Sequence, residues 1–155
     1  MPATIERREL ISPLAQSLIA TLNRELSAQY PEEGANHFRL DPEEVAEGRG
    51  AFLVVFLDSE PVGCGAVRRI DTETAELKRM FIAIGARGRG LGKALLVELE
   101  NEARRLGACR LVLETGPRQD AALAMYQSAG FREIPSYGEY IGSPMSICFG
   151  KNLET

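Results

Sequence analysis

The chain has 155 residues, 45% of them hydrophobic, and a formal net charge of −4; that is enough to bury one core, and a single domain spanning residues 1–155 is expected. A net-acidic chain lacks the broad positive field of a nucleic-acid or membrane-surface binder, and its longest apolar run, Ala51 to Leu57, is too short to span a bilayer. Cys64, Cys109 and Cys148 lie far apart without Cys-x-x-Cys spacing, so buried reduced thiols are expected rather than disulfides or a metal site.

The first residues carry Glu6, Arg7, Arg8 and Glu9 in place of a long apolar run, so a soluble cytoplasmic protein without a signal peptide is expected. Thr4 to Leu10 reads as a short strand. Leu14, Leu18, Leu22 and Leu26 then recur on one face of a helix predicted over Ser12 to Gln29, with Ser12 as cap and Pro13 at its first position. Asp41 to Glu47 reads as a second helix closed by Gly48. The run Ala51–Leu57 is a strand apolar enough to be covered on both faces. Asp58-Ser59-Glu60 turns it into a hairpin with Pro61–Val67, and a fourth strand runs from Ala75 to Ile84. Leu91, Ala94, Leu95 and Leu99 line a helix that ends near Gly107. Arg110 to Thr115 follows as a strand, which a right-handed crossover lays parallel to Ala75–Ile84. A helix over Asp120–Ala129 and strands at Phe131–Ile134 and Met145–Asn152 complete the chain.

The junction between the fourth strand and its helix carries the chemistry. Arg87-Gly-Arg-Gly-Leu-Gly-Lys93 sets flexible glycines and cationic side chains where the first amides of a helix have no helical acceptor, which makes a phosphate cradle. It is not a Walker loop, because Gly92-Lys93 is followed by Ala94 and no hydroxyl is available for magnesium. Nor is it a dinucleotide fingerprint, because Lys93 stands where the third glycine belongs.

Arg87, Gly90 and Gly92 form Arg-x-x-Gly-x-Gly, and Tyr126-Gln-Ser-Ala-Gly-Phe131 lies downstream. In these motifs and their setting the chain resembles the GNAT superfamily of acyl-CoA-dependent N-acyltransferases from about Ala51 onwards. The resemblance implies an α/β GNAT fold with a mixed sheet of about six to seven strands flanked by about four helices. It also implies acetyl-CoA as co-substrate, no metal, and a primary amine as acceptor, with a small molecule favoured over a protein amine. A non-catalytic acyl-CoA-binding module is the alternative, and homodimers are common among similar proteins.

By the same resemblance, the amides of Arg87, Gly88, Arg89, Gly90, Leu91, Gly92 and Lys93 hold the pyrophosphate, while the main chain of Met80, Phe81 and Ile82 pairs with the pantetheine arm. Tyr126 stands at the position of the acid that protonates the leaving thiolate. Glu76 stands at that of the base, with Glu114 as runner-up. Strand alternation puts Glu76 and Lys78 on one face and Arg79 on the other. The segment from Thr115 to Asp120 has no asparagine where the family often has one. Tyr30, Glu32, Glu33, Tyr137, Glu139 and Tyr140 fall in the regions that shape the acceptor pocket in this family, and carboxylates there would favour a cationic amine. His37, the single histidine, is expected to be a surface or structural residue.

Overall fold

A computed structural model describes residues 3–29, 40–117 and 119–153. Seven strands form one sheet: β1 (Ala3–Arg7), β2 (Gly50–Leu57), β3 (Glu60–Arg69), β4 (Thr74–Ile82), β5 (Arg110–Thr115), β6 (Arg132–Ile134) and β7 (Ile147–Asn152). They lie in the order β1-β2-β3-β4-β5-β7-β6. Every pairing is antiparallel except β4 with β5, the parallel pair expected of a strand–helix–strand crossover. Three α-helices flank the sheet among the described residues: α1 (Pro13–Gln29), α2 (Leu91–Arg105) and α3 (Asp120–Ser128). None is long and apolar enough to cross a membrane.

The expected α1 cap is present, since the Ala15 N–H donates to Ser12 Oγ at 3.2 Å. The expected second helix is instead a single 3-10 turn, Pro42–Val45, so three α-helices stand among the described residues where about four are expected. Few residues separate Pro42 from the left-handed Gly48 (φ 83°), too few to offset the cost of nucleating an α-helix. Glu44 is also drawn back to the Asp41 N–H at 2.9 Å and outward to Arg68.

Alternation along β2 separates two cores. Ala51, Leu53 and Val55 face Leu91, Leu95, Leu96 and Leu99 of α2, whereas Phe52, Val54 and Phe56 face Ala15, Leu18 and Leu22 of α1. Residues 51–56 are all buried, as a strand covered on both faces must be.

Two irregularities in β4 make room for a ligand. Opposite β3, Cys64 pairs with Phe81 and Ala66 with Lys78, so Gly65 faces two residues, Arg79 and Met80. That is a bulge, and Arg79 takes a left-handed φ of 59°, a conformation uncommon outside glycine. The extra residue resets the alternation, sending Met80 toward the α2 core with Leu77 and Phe81 toward the α1 core. It also overturns the expectation that Arg79 points away from Lys78: the Arg79 guanidinium donates to Asn23 Oδ1 of α1. On the other side, β4 pairs with β5 only from Thr74 to Leu77. Glu114 and Thr115 continue β5 against β7 alone, and the strands part beside Lys78–Ile82.

Candidate active site

The fork opens into a cleft of about 710 Å³, lined by Met80, Phe81 and Ile82 of β4, by the turn after it, and by faces of α1 and α3. A 3-10 turn, Ile84–Ala86, carries β4 into the glycine loop. Gly90 caps α2 in the left-handed region (φ 77°), and the first helical bond runs from Ala94 N–H to Gly90 O at 3.1 Å. The amides of Leu91, Gly92 and Lys93 therefore precede the helical ladder at its positive end. At Gly92 a Cβ would stand 3.0 Å from Met125 Sδ, so a side chain there presses on Met125, and glycine leaves α3 room to pack against the start of α2. The start of α3, at Gln119 and Asp120, lines the same cleft, so two helix N-termini converge on it.

Of the residues expected to hold the cofactor, Met80, Phe81, Ile82, Arg87, Gly88, Gly90, Leu91 and Gly92 line the cleft, while Arg89 and Lys93 stand outside the lining. Arg87 frames the loop: its Nε donates to Ile82 O at 2.8 Å, and its Nη2 lies 3.1 Å from Glu25 Oε2 of α1. The contributions of α1 and α3 to the walls were not legible in the sequence. Only the position of Asp120 at the start of a short helix hinted at the second N-terminus.

Tyr126 lines the cleft and is buried. Its hydroxyl donates to Met80 Sδ at 3.5 Å, a weak acceptor easily exchanged for another sulfur. Burial, with the Glu114 carboxylate adding to it, raises the phenol pKa well above its usual value, so the proton is held. The ring also packs edge-on against Phe131, 5.8 Å between centroids; core aromatic and cleft hydroxyl are compatible roles here.

Glu76 is fully buried and lies outside this lining. Arg68 Nε donates to its Oε1 at 2.7 Å and the Tyr137 hydroxyl to its Oε2 at 2.6 Å, while Arg68 also reaches Glu44. Tyr137 and Tyr140 meet edge-to-face at 5.3 Å. Burial, reinforced by the Glu76 charge, raises both phenol pKa values. Glu114 accepts from Ser146 Oγ at 2.7 Å, and its charge is felt at both Tyr126 and Tyr140. Glu139 is exposed. Tyr30, Glu32, Glu33 and His37 lie outside the described residues. Cys64 and Cys148 are buried as expected, but Cys109 is exposed, because it follows α2 at the sheet's rim, before β5 enters the core.

A mixed sheet that forks beside a bulge, with a glycine-rich helix N-terminus at its mouth, defines a nucleotide-cofactor transferase site. The model of the acetyltransferase (GNAT) family matches residues 15–131, and the chain belongs to that family. It is 40% identical over 152 residues to an IAA acetyltransferase of Azospirillum brasilense, covering 97% of each chain. It is also 33% identical over 96 residues to the Bacillus subtilis N-acetyltransferase YsnE, covering 61% of this chain and 64% of that one. A Klebsiella pneumoniae structure described as an acyl-CoA N-acyltransferase superposes with a TM-score of 0.83 at 29% identity, covering 98% of both chains. The fold is shared with an Elizabethkingia anophelis GNAT acetyltransferase solved with acetyl-CoA bound, at a TM-score of 0.69 and 22% identity, covering 97% of this chain and 98% of that one. The protein is an N-acetyltransferase.

Proposed function

We propose that the protein moves an acetyl or other short acyl group from acetyl-CoA to a primary amine of a small molecule, by direct transfer while both are bound. The observation that carries this reading is the continuous cleft from the paired helix N-termini, along the unpaired edge of β4, to the Tyr126 hydroxyl. Amides at the helix ends suit the pyrophosphate. The open edge of β4 suits the amide-bearing pantetheine arm, which can pair with it as a strand would. The small-molecule acceptor is supported by the IAA acetyltransferase likeness.

Acetyl-CoA supplies the thioester carbonyl that the amine attacks. As the new C–N bond forms and the C–S bond breaks, Tyr126 gives its proton to the leaving sulfur and is re-protonated from solvent. Glu76, fully buried, cannot touch an amine itself. Tyr137, hydrogen-bonded to it and only partly buried, can. Tyr137 Oη takes the amine proton as its own proton passes to Glu76 Oε2, so Glu76 is the terminal base and Tyr137 the relay. Glu114, on the β5 side of the fork, is the alternative base, and parallel pH profiles of Glu76→Gln and Glu114→Gln separate the two.

Isothermal titration with acetyl-CoA, with ATP and NADH as controls, tests the reading. Selective acetyl-CoA binding followed by thiol release with amines supports it, and a folded protein that does not bind acetyl-CoA overturns it. Binding without release across a broad amine panel favours an acyl-CoA-binding module.

A further inference from the structure

Six polar or charged residues are buried in the described chain: Glu76, Lys78, Arg79, Glu100, Glu102 and Thr115. Each of the three carboxylates has cationic partners. Glu76 has Arg68, Glu100 has Lys151 and Arg104, and Glu102 has Arg7 and Arg105. The two cations are treated differently. Arg79 donates to the neutral amide of Asn23. Lys78, only 9% exposed, has no ion pair and no hydrogen bond with any described residue.

The Lys78 stem is covered, but its Nζ is not among the buried polar atoms left without a partner, so the ammonium reaches solvent at the end of a buried stem, with no counter-charge bonded to it from a described residue. Its place in the fold suggests what it serves. Lys78 follows Leu77, the last β4 residue paired to β5, and so stands where the fork opens. It shares a sheet face with Glu76, two residues away, whose carboxylate carries Tyr137. One strand face thus presents a proton acceptor with its relay and, about 7 Å along the strand, a cation lacking an anion.

We propose that Lys78 is the carboxylate-binding residue of the acceptor subsite, so that the acceptor is an amino acid or another amine bearing an acid group. The inference rests on the acetyltransferase reading and names the substrate class of that site. Glu76 and Tyr137 receive the amine end and Lys78 the acid end. A cationic acceptor such as a polyamine is disfavoured by the same charge.

The test uses matched pairs, glycine with glycinamide, β-alanine with β-alaninamide, and phenylalanine with phenylalaninamide, compared at equal free-amine concentration by thiol release from acetyl-CoA. The acids are expected to be turned over with kcat/KM at least about 100-fold above their amides. In Lys78→Met that ratio is expected to fall at least about tenfold through a rise in KM for the acids, with acetyl-CoA affinity by titration unchanged. Turnover of the amides at or above the acids overturns the proposal. So does a Lys78→Met variant with an unchanged acid-to-amide ratio. Failure of the parent protein to bind acetyl-CoA defeats the acetyltransferase reading itself, whereas acetyl-CoA binding with preference for the amides defeats only the carboxylate subsite.

Discussion

Arg68→Met removes the one cation bonded to a carboxylate that has no exposure. Arg68 is 28% exposed and Glu76 0%, so the variant leaves a charge in the sheet with phenols as its remaining company. Breaking a buried pair from one side costs about 3–5 kcal/mol. The lower end, about 3 kcal/mol, applies because Tyr137 still donates at 2.6 Å and hydrogen bonds to charged groups retain much of their strength. At this chain length a loss of about 3 kcal/mol lowers Tm by roughly 6–12 °C. In Arg68→Met/Glu76→Gln the stranded charge is gone while the amide oxygen still accepts from Tyr137, and about 2 kcal/mol should return. Urea unfolding of both single variants and the double variant closes the cycle. A cost below about 1 kcal/mol for Arg68→Met, or a double variant no more stable than it, would refute the account of Glu76 as a carboxylate held by its partners.

Tyr126→Phe should lower kcat by about 10²-fold or more and alter the alkaline limb of the pH profile, with acetyl-CoA affinity retained; unchanged turnover removes Tyr126 from the chemistry. Gly92→Val pushes against Met125 of α3, whose Sδ lies 3.0 Å from a Cβ there, and should weaken acetyl-CoA binding about tenfold while costing about 1–3 kcal/mol of stability. Burial lifts the Glu102 carboxyl, but Arg7 and Arg105 more than reverse it, leaving its pKa below the usual value. The carboxylate's contribution is therefore complete above its unfolded pKa of about 4.3 and fades as pH falls through the lower folded value. The Tm gap between the parent protein and Glu102→Gln should accordingly be widest at neutral pH and shrink below about pH 4, and a gap that widens on acidification contradicts the pairing. Iodoacetamide should label the native chain at exposed Cys109 before the buried Cys64, whose thiol burial pushes up to about 12, or Cys148; mass spectrometry of the peptides gives the order.

Most of the architecture is legible in local chemistry. Ser12-Pro13 starts a helix because a hydroxyl and a fixed φ suit its first turn, and Ala51–Leu57 has to be an interior strand because no residue in it tolerates water. The crossover β4–α2–β5 follows from chain handedness, and the cradle at Gly90 from a glycine that reaches a left-handed φ at the head of a helix. The motif residues Glu76, Tyr126 and Arg87–Lys93 are visible because each sits at a short, regular distance from such an element.

What only the tertiary structure decided depends on contacts between residues distant in the chain. Alternation counted along β4 puts Arg79 opposite Lys78; the bulge against Gly65 cancels that count, and no local signal announces it, since arginine seldom takes a positive φ. The fork between β4 and β5 depends on where their pairing stops, which β7 settles by keeping Glu114 and Thr115. The engagement of Glu76 with Arg68 and Tyr137, eight and 61 residues away in sequence, buries a carboxylate that the sequence alone shows only as a charged strand residue. A sequence states which side chains can be charged. Only the folded chain states which of those charges are already answered, as Glu76 is by Arg68, and that Lys78 has no ion pair among the described residues.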